Sequence, residues 1–327
     1  MPKRKIAIVF TGGTISMTMD NFGGVVPSLS AEDILRLTPS VFELADIESL
    51  EFGRYPGPHV TPELMLELTH VVQRLADRTD VHGIVVTHGT DTLEETAYFL
   101  DCTLNTSKPV VVIGSMRNSS EPDWDGPRNL RDALLIALHP KAAGIGVLTC
   151  LADTIQAASE VSKMDTSNIH TFESTNFGPL GRIVNGAVMI YRHPVHRDYF
   201  PVRYIPAFVP LFKCYTSSEA LLLKAALREH PAGIVVEAMG VGNVPPVVYH
   251  EILNALEARI PVVLASRCPI GRVEHLYAYE GAGKQLYAAG VVFADYLNGQ
   301  KARIKLIAAL GAECSPEQIR HSFEWSD

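Results

Sequence analysis

Short apolar runs alternate with amphipathic stretches along the chain. The run from Lys5 to Phe10 reads as a buried strand, and Glu48 to Phe52 as a second. Between them, Ser30-Ala31-Glu32-Asp33 resembles a capping box that opens a short helix. Thr61-Pro62-Glu63 puts a hydroxyl ahead of a proline at the first helical position. The helix it opens carries Leu64, Leu68, Val71, Val72 and Leu75 on one face and stops before a strand from Gly83 to Thr87. Thr92-x-x-Glu95 is read as the cap of the next helix, which runs through Leu104. A strand from Pro109 to Ile113, a helix from Asn129 to Leu138 and a strand from Ile145 to Thr149 follow. Repetition of strand, helix and strand predicts a parallel sheet with helices on both faces.

The pattern breaks from Arg192 to Pro210, where Pro194, Pro201, Pro206 and Pro210 stand among arginines, histidines and tyrosines, the composition of an ordered linker. It resumes with a strand from Gly233 to Glu237, a helix around Val248 to Leu256, a strand from Pro261 to Ser266 and helices from Gln300 to Leu310 and Ser315 to Trp325. Ser315-Pro316-Glu317-Gln318 begins the last helix with cap, proline and reciprocal glutamine. No internal repeat of solenoid length is present. The expected fold class is α/β with two α/β domains: a larger N-terminal doubly wound parallel sheet in residues 1–191, a linker in 192–210 and a smaller C-terminal parallel α/β domain in 211–327.

Composition narrows the function. With 47% hydrophobic and 20% charged residues in 327, the chain is an ordinary globular protein with a large core. Lys+Arg 28 against Asp+Glu 36 gives a net charge of −8, the wrong sign for a protein that lives on phosphate backbones or anionic lipid, so neither nucleic acid nor membrane is an expected partner. The opening Met-Pro-Lys-Arg-Lys is basic, but the apolar run to Phe10 meets Thr11-Gly12-Gly13 at once, too early for a secretory signal, and a cytoplasmic protein is expected. The longest apolar candidate, residues 142–152 between Lys141 and Asp153, falls short of the roughly 18 residues a membrane helix needs. Cys102, Cys150, Cys214, Cys268 and Cys314 are far apart and lack ligand spacing. They are expected to be reduced, buried thiols, with no metal and no cofactor.

In open parallel sheets, ligands bind beyond the carboxyl ends of the strands where the winding reverses. Two loops qualify: Thr11-Gly12-Gly13-Thr14 after the first strand and Thr87-His88-Gly89-Thr90-Asp91-Thr92 after the third. Both are dense in hydroxyls and glycine, which offers nucleophiles and bare backbone N–H groups in one crevice. The same residues also serve as plain caps and turns, and a threonine is a poor nucleophile unless a neighbour takes its proton. Phosphate-cradling motifs are poorly matched. Pro245 occupies the sixth position after Gly240-Val241-Gly242, and Gly281-Ala282-Gly283-Lys284 lacks the hydroxyl and spacing of a P-loop.

Thr11-Gly12-Gly13-Thr14-Ile15, together with the ten residues from His88-Gly89-Thr90-Asp91-Thr92 to Ala97, resembles the two signature segments of the bacterial-type L-asparaginase and glutaminase family. Further matches are Asp125-Gly126-Pro127, Val161-Ser162-Lys163-Met164-Asp165-Thr166, Asn176-Phe177-Gly178-Pro179-Leu180-Gly181, Gly240-Val241-Gly242-Asn243 and residues 297–303, so the resemblance covers nearly the whole chain. Starting at the first strand, the chain resembles the free cytoplasmic enzymes rather than the tRNA-dependent amidotransferase subunit of the same superfamily.

The resemblance implies that Thr11 attacks the side-chain amide, releasing ammonia and leaving an acyl-threonine that water hydrolyses. Thr90, Asp91 and Lys163 are the implied supporting set, with Asp91 also gripping the substrate's ammonium. The implied substrate-binding residues are Gly57, Pro58, His59, Gly89, Thr90, Asp91 and Ser115. Backbone N–H groups at Thr11 and at Gly89 or Thr90 could face a developing oxyanion. Lys163 must lose a proton before it can act as a base, and a plain structural ion pair with Asp91 is the competing reading.

The chain also departs from the family pattern. Where relatives use Ser plus Gln or Ser, then Asp, on the substrate's carboxylate, it has Gly57-Pro58-His59. Its lid, Asn21-Phe22-Gly23-Gly24-Val25, lacks the usual tyrosine, and Pro245 aligns with an asparagine that some members contribute from the adjacent subunit, which leaves Asn243 as the substitute. The expected activity is hydrolysis of L-asparagine to L-aspartate and ammonia in asparagine metabolism. The expected partners are a small-molecule amide and further copies of the chain, as a homodimer or homotetramer. The alternatives are an amidase for a modified asparagine or glutamine and an amino-acid-binding sensor of the same fold.

Overall fold

The computed structural model describes residues 3–324. The chain divides into two compact units at Tyr199 and Phe200, within the proline-rich segment at 192–210. The end of the last expected helix, at Trp325, lies outside the described residues.

In the first unit the sheet runs in the order Ala187–Ile190, Gly181–Val184, Thr154–Ala157, Val147–Leu151, Val110–Ile113, Val81–Thr87, Lys5–Gly12, Asp46–Tyr55. The last five are parallel to one another, and the first three extend the edge antiparallel. Strand Lys5–Gly12 is central and alternates strictly. Ile6, Ile8 and Phe10 pack on one face with Leu130, Ala133 and Leu134, while Ala7 and Val9 pack on the other with Leu68, Val72, Leu93 and Leu100. Helices therefore cover both faces. Because strand Lys5–Gly12 lies between Asp46–Tyr55 and Val81–Thr87, the chain reverses its winding beside the loops that follow residues 12 and 87.

Several local readings need correction. The antiparallel edge was not expected, and two tight turns build it. Ala152 (φ 48) and Asp153 (φ 61) form one, Asn185 (φ 50) and Gly186 (φ 78) the other, and consecutive left-handed residues in a two-residue loop return the strand alongside itself. Helix Pro62–Asp77 buries Met65, Leu68, Thr69, Val72, Leu75 and Ala76, so the face is rotated from the expected one, with Leu64 and Val71 only partly covered. Thr92 precedes helix Leu93–Thr103 without capping it by its side chain. The capping boxes at Ser30/Asp33 and Ser315/Gln318 are both formed.

Arg192 reaches Glu160 (3.2 Å) and Arg197 reaches Asp101 (3.0 Å), tying the start of the proline-rich segment to the first unit. In the second unit the strands Leu211–Lys213, Ile234–Ala238, Val262–Ser266 and Val292–Phe293 form a parallel sheet in sequence order. All five cysteines are free thiols, but only Cys102, Cys150 and Cys214 are buried. Cys314 is partly covered and Cys268 is exposed, because it follows the end of strand Val262–Ser266 in an open loop.

Candidate active site

Three glycines allow the loops at the switch point to touch. Gly13 has φ +80, and a Cβ there would sit 2.4 Å from both N and Cα of Gly89. A Cβ on Gly89 would in turn lie 2.9 Å from N and Cα of Gly57. The first loop, the 88–92 loop and the 57–59 turn are thus stacked backbone on backbone, closer than any side chain permits. The Gly13 N–H donates to Tyr55 O (3.0 Å), and the Thr92 hydroxyl donates to Gly57 O (2.9 Å). The bond to Gly57 explains why Thr92 is no cap: its oxygen serves the neighbouring loop.

Lys163 reaches this place on a small antiparallel ribbon, Ser162–Lys163 against Phe172–Glu173. The ribbon's loop closes on Asp165, whose Oδ1 accepts from the N–H groups of Ser167 (2.8 Å) and Asn168 (2.9 Å). These backbone bonds hold its carboxyl below the usual range. Lys163 Nζ then donates to Thr90 Oγ1 (3.0 Å) and to Asp91 Oδ1 (2.8 Å). Thr90 is buried and the Asp91 side chain is 61% exposed, so the set has a dry end and an open end. Asp91 Oδ2 has no partner among the described residues.

Thr11, 3% exposed, donates its hydroxyl proton to Thr87 O (2.7 Å) and makes no hydrogen bond to Thr90 or Lys163. Its oxygen therefore keeps lone pairs free for another donor. The N–H groups of Gly89 and Thr90 meet no acceptor among the described residues, although both residues are buried. Unsatisfied buried donors side by side call for an acceptor from outside the chain. His88, fully enclosed, places Nδ1 2.9 Å from Gly89 O. Burial pushes its pKa down to about 4, so the imidazole is neutral near pH 7.

Gly57 is buried in a single 3-10 turn while Pro58 and His59 are exposed; the backbone N–H of His59 donates to Pro56 O (2.9 Å). Ser115 is fully buried and its hydroxyl is engaged by Asp125 Oδ1 (2.6 Å) and Arg117 O. Asp125 also accepts from the N–H groups of Met116 (3.1 Å) and Arg117 (2.9 Å), so it orders the whole 115–117 loop. Thr11, Thr90, Asp91, Gly57 and Gly89 are thus gathered by their loops, Lys163 joins them from the ribbon, and Ser115 faces Asp125. In the second unit, Asn243 Oδ1 accepts from Gly283 N at 3.4 Å.

Sequence reasoning missed the support of the lid. Met17–Met19 pairs antiparallel with Val25–Pro27, and Phe22 at the tip is 96% exposed. Asp20 Oδ1 fixes the tip by accepting from Phe22 N (2.9 Å) and Gly24 N (2.7 Å), while Ser119 and Ser120 bond its first strand. No group of three or more His, Cys, Asp or Glu among the described residues is placed to hold a metal ion, and no helix there is long and apolar enough to cross a membrane.

The doubly wound sheet, with hydroxyls, a lysine and a carboxylate at its switch point, is the framework of an amidohydrolase. Residues 5–196 match the family described as "Asparaginase, N-terminal", and residues 208–323 match the "Glutaminase/Asparaginase C-terminal domain". A probable L-asparaginase of Deinococcus radiodurans is 37% identical over 98% of this chain and 97% of its own length. An L-asparaginase of Bacillus licheniformis is 35% identical over 94% and 96%. The crystal structure of a probable cytoplasmic L-asparaginase from Campylobacter jejuni superposes with a TM-score of 0.88 at 32% identity, covering 98% of this chain and 99% of that one. The chain belongs to the asparaginase family.

Proposed function

We propose that the protein hydrolyses L-asparagine to L-aspartate and ammonia through Thr11. The observation that carries this reading is the bonded set of Thr90 and Asp91, on a loop stacked directly against the one that follows Thr11, with Lys163 reaching both from its ribbon. The substrate's ammonium binds the open Oδ2 of Asp91 as a charge-assisted hydrogen bond. Thr11 Oγ1 adds to the side-chain amide carbon, and the N–H groups of Gly89 and Thr90 receive the oxyanion. Ammonia departs with a proton delivered from the Lys163 side through Thr90, and the proton that Thr11 gives up on attack returns to the Lys163–Thr90 pair, leaving an ester on Thr11 and the lysine charged again. Water then adds to that ester, and its collapse returns Thr11 and releases aspartate. As resting donor to both partners, Lys163 is suited to the protonation of the leaving group.

The 57–59 turn, with one fewer backbone donor at Pro58, borders the place for the substrate's carboxylate. We place the enzyme in the cytoplasm, in line with the probable cytoplasmic L-asparaginase it resembles, and propose that it works as a homodimer or homotetramer.

Ammonia release from L-asparagine by the purified protein tests the activity, and Thr11→Ala tests the nucleophile. The variant should lose on the order of a thousandfold in kcat, roughly 4 kcal/mol of barrier, with substrate affinity kept. Turnover within about tenfold of the parent would assign the attack to another group.

A further inference from the structure

A polar cavity of about 580 Å³ lies at the antiparallel edge of the N-terminal sheet. Helix Gly126–Leu138 contributes Arg128, Arg131 and Asp132, which share one face by their spacing. Strand Gly181–Val184 contributes Arg182, and the two tight turns at 152–153 and 185–186 close the sides.

These charges are not equally engaged. Arg128 Nε donates to Asp153 Oδ1 (2.7 Å), which neutralises both. Arg131 is held over the second turn, where a Cβ on Gly186 would come 3.2 Å from its Nη2, and it reaches Asp132 only at 3.4 Å. Arg182 is held by its backbone between two strands, and its exposed guanidinium makes no hydrogen bond or ion pair among the described residues. Asp132 is 1% exposed and its Oδ2 has no hydrogen-bond partner there, and burial pushes its carboxyl above the usual range. In a chain of net charge −8, a guanidinium with unused donors thus shares a cavity with a buried carboxylate oxygen that has unused lone pairs.

A buried acceptor left without a donor is costly, and a guanidinium fork matches a carboxylate in shape. A ligand that meets both needs carries an anionic group and a donor on neighbouring atoms. A plain inorganic anion would satisfy Arg182 and leave Asp132 facing like charge. We propose that this cavity binds a small organic acid bearing an amine or hydroxyl beside its carboxylate, with the carboxylate on Arg182 and Arg131 and the donor on Asp132 Oδ2. Its volume is within the range of small-ligand sites.

L-malate and succinate differ by one hydroxyl and make a direct probe, with sulfate as the simple anion. Titration calorimetry on the whole protein should show malate binding at least about tenfold more tightly than succinate, a difference of about 1.4 kcal/mol, with sulfate weaker still. Arg182→Gln should abolish malate binding while leaving amide hydrolysis unchanged. Asp132→Asn should erase the preference for malate over succinate. If the Asp132 variant fails to fold, the malate-to-succinate ratio on the parent and the Arg182 variant decide the matter together. Absence of malate binding, equal affinity for succinate or sulfate, or malate binding that survives Arg182→Gln would each overturn the proposal.

Discussion

Acidification should loosen the protein through His88 before it affects the exposed carboxylates. The imidazole is 1% exposed and its Nδ1 sits against Gly89 O, with a pKa lowered from 6.5 to about 4 mainly by burial. The unfolded chain therefore binds a proton on this residue between those two values and the folded chain does not. The sign follows: the contribution is fully present above about pH 6.5 and is lost as pH falls toward 4. Because His88 is enclosed, solvent screening does not discount the effect. Integrating the proton difference gives a loss of about 2 kcal/mol between pH 7 and pH 5, approaching about 3 kcal/mol near pH 4.

The assay is urea unfolding of the parent and of His88→Asn at pH 7 and pH 5, at one protein concentration so that any subunit association cancels. The asparagine side-chain amide can donate to Gly89 O as Nδ1 does, but it does not titrate. The parent should lose about 2 kcal/mol more than the variant over this interval. Equal losses would mean that the imidazole is hydrated or already protonated in the native state, and the burial argument would fall. His88 also leads into the loop carrying Thr90 and Asp91, but the native imidazole stays neutral until pH nears 4, so turnover by the folded parent should match the variant's between pH 7 and pH 5 even as stability falls.

The other predictions concern the stacked loops and the lysine set. Gly13→Ala puts a Cβ 2.4 Å from the Gly89 backbone at φ +80, so it should cost about 1–3 kcal/mol of stability and at least about a hundredfold in kcat/KM; near-parental kinetics would show that the loops can separate without consequence. Thr90→Val and Lys163→Met should each lower kcat strongly, and the double variant should lose much less than the sum, whereas strict additivity would make them independent structural residues. Asp91→Asn should raise KM for asparagine as well as lower kcat, and an unchanged KM would move the ammonium elsewhere. Thr92→Val, which removes the bond to Gly57 O, should raise KM several-fold with kcat nearly unchanged, and Thr92→Ser should restore it.

What the sequence revealed, and what it did not, follows from the range of each signal. The strand after Lys5 and the caps at Ser30 and Ser315 are local patterns, and the structure has all three. The two hydroxyl loops could be placed at the switch point because the winding of a parallel sheet follows from the order of its elements. The antiparallel edge went unread although Asn185-Gly186 is a strong hairpin dipeptide. Its partner turn, Ala152-Asp153, carries no such chemistry, and the strands Thr154–Ala157 and Gly181–Val184 are only four residues long, too short for their alternation to stand out. The misread face of helix Pro62–Asp77 has another origin: Met65, Leu68, Thr69, Val72, Leu75 and Ala76 follow a regular helical spacing, but Leu64 and Val71 beside them are equally apolar, so the pattern left the centre of the face open by about one residue.

The same distinction separates the parts of the candidate site. Thr90 and Asp91 are adjacent in sequence, and their loop was readable from its glycine and hydroxyls. Lys163 lies 72 positions from Asp91, on a two-residue ribbon too short to announce itself, and only the family resemblance singled it out. The glycines carry the information that joins them. Gly13, Gly89 and Gly57 stand in three separate segments, each ordinary alone, and their meaning is mutual because each one's missing Cβ is the space another's backbone fills. A substitution at any one of them therefore acts on the spacing between the Thr11 loop and the Thr90–Lys163–Asp91 set. By the same logic the exposed Pro58 and His59, which only border this stack, can change in chemistry without disturbing it, because neither supplies the space that another loop's backbone fills.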